Sequence, residues 1–324
     1  MEPQPLDTLD LKLLHALQVD GRAPFSRIAE VLGVSDPTVA RRFRRLRTTA
    51  GLRVIGMTDE TLLGRQSWIV RLRCTPDVAE QLADALARRP DISYVDLISG
   101  GTEVLCTLMP RSRQDRDELL FNRLQRTPRI ISVDTYCVLH TFYGGPLGWL
   151  DKNRALDADE EAALRPPRVE RADAPVALDE ADESLLAELR RDGRTTFGEL
   201  QRSTGLSETA AKRRLERLRS LGVLYFDVQH DSATLGHGTD AMLWLTVAPS
   251  ALDGVGRALA GHPEVHFAAA TTGKTNLVAA VSARGTGELY SYLSRRIGAL
   301  DGVRAVETAL TLRQVKQLTY EPTR

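Results

Sequence analysis

The feature that most limits what this chain can fold into is an internal repeat: one unit is written twice. Leu6-Asp7 and Asp10 recur as Leu178-Asp179 and Asp182, and Asp20-Gly21-Arg22 recurs as Asp192-Gly193-Arg194, a shift of 172 residues. Phe25 matches Phe197, Gly33-Val34-Ser35 matches Gly205-Leu206-Ser207, and Arg41-Arg42 matches Arg213-Arg214. After a one-residue adjustment Pro76 meets Pro249, Pro90 meets Pro263, Gly100 meets Gly273, and Thr135 and Leu139 meet Thr308 and Leu312. The period is far too long for a solenoid and points to a duplicated two-domain protein. The seam is polar: after Gly144-Gly145-Pro146, the stretch from Asp151 to Ala177 carries Asp157, Asp159, Glu160, Glu161, Pro166-Pro167 and Pro175. It reads as a linker with room for one short helix.

Each copy opens with three short helices. Leu13, Leu14 and Leu17 sit at helical spacing after an Asp-rich start, and Ile28, Ala29 and Leu32 mark a second helix that Gly33 ends. Ser35 is placed to cap a third helix, about residues 36–48, with Val39, Phe43 and Leu46 inward and Arg41, Arg42, Arg44, Arg45 and Arg47 on its other faces. Five arginines against one aspartate give this helix a charge of +4 on a chain that holds 43 basic and 43 acidic residues. Copy two repeats the layout, with Ala211, Leu215 and Leu218 inward and Lys212, Arg213, Arg214, Arg217 and Arg219 outward, diluted to +3 by Glu208 and Glu216. A helix-turn-helix with a basic third helix fits the major groove of double-stranded DNA. Gln201 stands where copy one has Ala29, a long polar side chain at an expected helix–helix contact.

The second part of each copy reads βαββαβ, an antiparallel sheet with two helices on one face. In copy two the strands are Ala241–Val247, His266–Thr271, Leu277–Val281 and Val303–Leu312, with helices marked by Leu252/Val255/Leu259 and Leu289/Leu293/Ile297. Copy one follows with Trp68–Cys74, Tyr94–Ile98, Val104–Leu108 and Ile131–Leu139, around helices marked by Val78/Leu82/Leu86 and Leu120/Leu124. The helices cover one face of each sheet, so the simplest cover for the other face is the other copy's sheet. That makes the chain an intramolecular pseudo-dimer, with room for further homo-oligomers. Cys74, Cys106 and Cys137 fall in these strand-like stretches and read as buried packing thiols.

These residues together resemble the Lrp/AsnC, or feast/famine, family. The resemblance rests on Leu-Asp-x-x-Asp before helix one, Asp-Gly-Arg after it, Gly-Val/Leu-Ser before helix three, the Leu63-Gly64 and Leu235-Gly236 pairs, and the turn Gly273-Lys274-Thr275-Asn276-Leu277. The ending Thr311-Leu312-Arg313-Gln314-Val315-Lys316-Gln317 is also similar to the family's last strand. The resemblance implies an α+β chain, with two winged-helix/helix-turn-helix domains alternating with two βαββαβ ferredoxin-like (RAM/ACT-like) ligand-sensing domains. The expected divisions are 1–60, 61–145, a linker 146–177, 178–232 and 233–324. It implies a DNA-binding regulator responding to an amino acid or related metabolite, without a cofactor. Expected DNA contacts are Ser35, Thr38, Arg41, Arg42 and Arg45 in copy one and Ser207, Thr209, Lys212, Arg213 and Arg217 in copy two. On this reading, replacing Arg41, Arg42 and Arg45 together abolishes specific binding and leaves the fold intact. Expected effector contacts are Gly273, Thr275 and Asn276, and Gly100, Gly101 and Glu103, where Glu103 departs from the Asp or Asn of the family's turn. The plain alternative for both turns is an ordinary hairpin.

A competing reading is a sirohaem-decarboxylase-like enzyme on the same fold. Such enzymes place His, Arg and aromatic residues around the second and third strands, and here only His266 fits. His15, His140, His230, His237, His262 and His266 show no zinc-binding spacing, and no P-loop or Gly-x-Ser-x-Gly occurs. The Met-Glu-Pro-Gln-Pro start lacks a signal-peptide pattern, and no apolar run approaches the roughly 18 residues of a membrane span. The expected location is the cytoplasm, on the nucleoid, with no membrane partner.

Overall fold

A computed structural model describes residues 6–145, 152, 155–166, 170, 172–230 and 238–319. Pro146, Asp151, Pro167, Leu235-Gly236 and His237 therefore lie outside the described residues. The chain runs α1 (Thr8–Val19), α2 (Phe25–Val31), α3 (Asp36–Thr49), β1 (Arg53–Thr58), β2 (Trp68–Cys74), α4 (Ala79–Ala87), β3 (Ile92–Ile98), β4 (Glu103–Leu108), α5 (Arg113–Asp117) and β5 (Ile130–Tyr143). It continues with α6 (Ala158–Leu164), α7 (Glu180–Arg191), α8 (Phe197–Thr204), α9 (Glu208–Ser220), β6 (Leu224–Gln229) and β7 (Thr239–Val247). Then come α10 (Leu252–Gly261), β8 (Val265–Thr271), β9 (Leu277–Ala283), α11 (Thr286–Ser291) and β10 (Val303–Gln317). These elements form two compact units, residues 1–64 with 145–236, and residues 65–144 with 237–324.

The first unit joins both helix-turn-helix segments, where the sequence suggested separate domains. The reason is a shared core: Leu13, Leu14, Leu17, Ile28, Val39 and Leu46 pack in one cluster with Leu185, Leu189, Leu200, Ala211, Leu215 and Leu218. A two-stranded antiparallel ribbon, β1 with β6, takes one strand from each copy. The ribbon presses on the Asp-Gly-Arg turns. A Cβ on Gly21 would lie 2.7 Å from atoms of Phe226 and Val54, and one on Gly193 would lie 2.8 Å from Phe226, so only glycine fits. The arginine of each turn crosses to the other copy. Arg22 donates to the Gly193 and Thr195 carbonyls at 2.6 and 3.0 Å, and Arg194 donates to the Gly21 and Ala23 carbonyls at the same distances. Arg194 also lies 4.5 Å from the Phe25 ring centroid and Arg22 lies 5.2 Å from that of Phe197.

The linker helix α6 belongs to this unit and is not merely polar. Leu156 and Leu164 are buried, and α6 packs on α1 and α2. Lys12 pairs with Glu160, Arg27 donates to the Ala163 carbonyl, and the Leu156 amide donates to His15 Nδ1. Gln201 does not occupy a buried helix–helix contact. Ala29 lies buried in copy one, whereas Gln201 is exposed.

In the second unit each copy forms a four-stranded sheet, β3-β4-β2-β5 and β8-β9-β7-β10. The sheets join at both edges, β5 to β8 and β10 to β3, and close into an eight-stranded barrel. The last strands are longer than the sequence suggested for this reason. β5 pairs with β2 through Cys137 and then with β8 from Val138, and β10 pairs with β7 through Leu310 and then with β3 from Thr311. One core of Ile69, Ile98, Leu105, Met242, Trp244, Ala269, Val278 and Ala309 fills the space between the sheets, so each copy covers the other's open face. Cys74, Cys106 and Cys137 are buried free thiols, and burial pushes the Cys106 thiol up to about 12.

Two expectations follow. Arg22→Ala and Arg194→Ala each remove charge-assisted bonds to two carbonyls, so each lowers unfolding stability by about 1.5–3 kcal/mol in urea titration; unchanged midpoints would deny the exchange a structural role. On β3, burial raises the Asp96 carboxyl to about 7, although Gln314 bonds to it and lowers it. In this case the folded state holds the proton longer than the unfolded one. Stability therefore falls as pH rises from about 4 to about 7. Asp96→Asn removes that part of the slope in urea midpoints taken across this range.

Candidate nucleic-acid interface and effector turns

The arginines of α3 are not equivalent. Asp7 and Asp10 form a reciprocal cap at the start of α1, each carboxylate accepting the other's backbone N–H. Asp10 is almost wholly buried, and two arginines of α3 neutralise it. Arg42 Nη1 lies 2.8 Å from Asp10 Oδ1 and 2.6 Å from Asp7 Oδ2, and Arg45 donates to Asp10 Oδ2. The Arg42 guanidinium holds the Asp7 carboxyl below the ordinary range. Its contribution to stability is thus present above about pH 4 and fades as pH falls further. Copy two repeats the arrangement atom for atom. Arg214 lies 2.8 Å from Asp179 and from Asp182, and Arg217 lies 2.5 Å from Asp182.

Of the expected DNA contacts, Arg42, Arg45 and Arg217 are therefore committed to carboxylates within their own copy. Arg45 and Arg217 are anchors by their position on the helix, one turn on from Arg42 and Arg214. The triple replacement of Arg41, Arg42 and Arg45 would not leave the fold intact, because it strips the buried Asp10 of both cations. Arg41 and Arg213 are exposed and without an ion-pair partner among the described residues. Lys212 is exposed and lies 4.0 Å from Glu216. Arg44, which the sequence reading did not include among the expected contacts, shares this exposure. It is bonded only through Nε to the Ala40 carbonyl, and lies one turn beyond Arg41.

The helix starts also differ. Ser207 caps α9 by accepting from the Ala210 N–H at 3.2 Å, but Ser35 does not cap α3. Its hydroxyl lies 2.9 Å from the Thr38 hydroxyl instead. Thr209 is exposed. Gly33 and Gly205, which set the turns before these helices, have φ of 65° and 73°.

The two glycine turns in the barrel unit also differ. Glu103 is buried and spends its charge internally: it binds Arg71 at 2.7 Å, Arg73 at 3.0 Å and the Ser99 hydroxyl at 2.8 Å. Arg71 reaches on to Glu307 at 2.7 Å and lies 4.3 Å from the Trp244 ring centroid. Gly100 and Gly101 have φ of 74° and 79° with nothing within 4 Å of a Cβ position. The copy-two turn is filled: a Cβ on Gly273 would lie 2.9 Å from the Tyr136 ring. Thr275 in the same turn is half-buried. Asn276 does not present a free amide, because Oδ1 accepts from the Val247 N–H and Nδ2 donates to the Val247 carbonyl. His266 is half-buried on β8. Among the described residues no cluster of three or more His, Cys, Asp or Glu could hold a metal ion, and no helix is long and apolar enough to cross a membrane.

The Lrp/AsnC ligand binding domain model matches residues 67–147 and again 240–320, half of the chain. The chain belongs to the Lrp/AsnC family of transcriptional regulators. The AsnC-type helix-turn-helix model matches residues 6–47, and a winged helix-turn-helix DNA-binding model matches 178–225. Curated relatives align with less than half of this chain. The HTH-type transcriptional regulator FL11 of Pyrococcus horikoshii is 30% identical over 148 residues, 45% of this chain and 97% of the relative. The regulator LrpA of the same organism is 29% identical over 140 residues, 43% of this chain and 99% of the relative. Among solved structures, the siroheme decarboxylase NirDL shares the fold across 97% of this chain and 94% of its own, with a TM-score of 0.63 at 18% identity. For an Lrp/AsnC chain with this split between anchors and exposed cations, Arg42→Ala lowers stability by about 1.5–3 kcal/mol. Arg41→Ala leaves the melting temperature unchanged. Equal melting temperatures for the two variants would contradict the division.

Proposed function

We propose that this chain regulates transcription by binding double-stranded DNA through α3 and α9, in response to a small metabolite such as an amino acid. The observation that carries the reading is that Arg41 and Arg44 stand exposed on a helix whose other two buried-side arginines are fixed by Asp10. Guanidinium groups so placed can take phosphates or a guanine edge in the major groove. Ser35 and Thr38 at the start of α3, and Ser207, Thr209, Lys212 and Arg213 in copy two, extend the contact surface. The place of action is the cytoplasm, on chromosomal DNA. The effector is proposed to meet the ligand-binding domains at the glycine turns. The Gly100-Gly101 turn is the one with no neighbouring atom within 4 Å of its Cβ positions, and Glu103 acts there by holding Arg71 and Arg73 rather than by touching ligand.

A second reading, a sirohaem-decarboxylase-like enzyme, is favoured only by the shared two-copy fold. The tests separate the two. Duplex DNA affinity should fall with a log–log salt slope of about −0.9 per phosphate contact, and Arg41→Ala should weaken it. Binding indifferent to salt and to Arg41 would remove the regulator reading. Sirohaem incubated with the protein should remain unconverted; turnover would favour the enzyme. A thermal-shift screen of amino acids should find one that stabilises the protein by about 2.7 kcal/mol at a concentration 100-fold above its Kd.

A further inference from the structure

The two recognition helices can be compared position by position, because the same anchor sets the rotation of each. Arg42 with Asp7 and Asp10 in copy one, and Arg214 with Asp179 and Asp182 in copy two, match atom for atom, all within 2.6–2.9 Å. With the anchors superposed, the stripe that each helix leaves to solvent follows at helical spacing. In α3 it reads Pro37, Arg41, Arg44 and Thr48; in α9 it reads Thr209, Arg213, Glu216 and Ser220, all exposed. Arg41 and Arg213 are alike. One turn further on, an arginine faces a glutamate. The hydroxyl of Thr38 has no counterpart in Ala210, and Lys212 takes the place of Ala40.

From this geometry, and resting on the DNA-binding function proposed above, we infer that the operator is not a palindrome: its half-sites carry a guanine opposite Arg44 and a cytosine opposite Glu216. Arginine donates two parallel bonds to guanine O6 and N7, whereas a carboxylate has no donor and accepts from the cytosine N4 amine. A glutamate at the Arg44 position also repels the phosphates that an arginine attracts. Copy one is therefore the stronger reader. Its stripe holds two cations, Arg41 and Arg44, while in copy two Glu216 offsets one of the two cations Lys212 and Arg213 and lies 4.0 Å from Lys212. A family of single-unit homodimers presents two identical helices. The duplication frees this chain to read two different sequences in a fixed order, and hence to bind its site in one orientation.

The test is selection of bound duplexes from a randomised pool by the full chain and by two variants. Glu216 is exposed, so Glu216→Arg is expected to fold, as a melting curve checks. The wild-type chain is expected to enrich unlike half-sites differing at one guanine/cytosine position. Glu216→Arg should turn that cytosine into guanine and bring the second half-site towards the first. Arg44→Ala should relax the guanine in the first half-site alone and lower affinity about five- to hundredfold. A perfect inverted repeat from the wild-type chain, or an unchanged preference in Glu216→Arg, overturns the inference and leaves DNA binding standing. Failure to enrich any duplex overturns the DNA-binding function itself, and this inference with it.

Discussion

The reciprocal crossing of Arg22 and Arg194 is the interaction on which the helix-turn-helix unit depends. Two like charges are half-buried near one another, and burial together with the charge of Arg194 lowers Arg22 to about 10. In this arrangement each guanidinium is compensated by two carbonyls of the other copy, an aromatic face and the nearby Asp20 and Asp192 carboxylates. Its geometric effect is larger than its energy. It ties the turn after α1 to the turn after α7, leaves the β1–β6 ribbon no room for side chains at Gly21 and Gly193, and so fixes the relation of the two copies.

A second constraint divides the arginines of one helix into those bound to carboxylates and those left to solvent. A buried carboxylate needs compensation, and Asp10 takes it from Arg42 and Arg45. The same pair of bonds that lowers the cost of burying Asp10 also rotates α3 so that Arg41 and Arg44 face outward. A cluster that reads as a uniform basic surface is thus two sets of arginines, one paired with carboxylates and one exposed. The same principle operates in the barrel. Glu103 stands at the position of an expected ligand contact, yet it serves to neutralise Arg71 against Trp244.

Much of this was legible in the sequence. The repeat, the βαββαβ order, the inward residues of α3 and α9 and the mutual cover of the two sheets all follow from periodicity and from the need to bury two open sheet faces. What was not legible depends on contacts between residues distant in sequence. The anchors had a signal: Leu-Asp-x-x-Asp and Arg-x-x-Arg recur together in both copies, 35 residues apart. Strand exchange around the barrel had a weaker one, the polar-apolar run that continues past Leu139 and Leu312. Nothing in the sequence signalled that Ser35 would bond Thr38 rather than cap its helix, or that Tyr136 would cover Gly273, since both depend on side-chain placement alone.

The central claim is that the two copies pair within one chain. In the β1–β6 ribbon Arg53 lies opposite Gln229. With Arg53→Cys and Gln229→Cys in one chain, oxidation of an equal mixture of heavy-isotope and ordinary protein, followed by mass spectrometry of the cross-linked peptides, reads the pairing directly. The account predicts cross-links that are wholly heavy or wholly light. Mixed cross-links in statistical proportion would show that the ribbon forms between chains, and would contradict it.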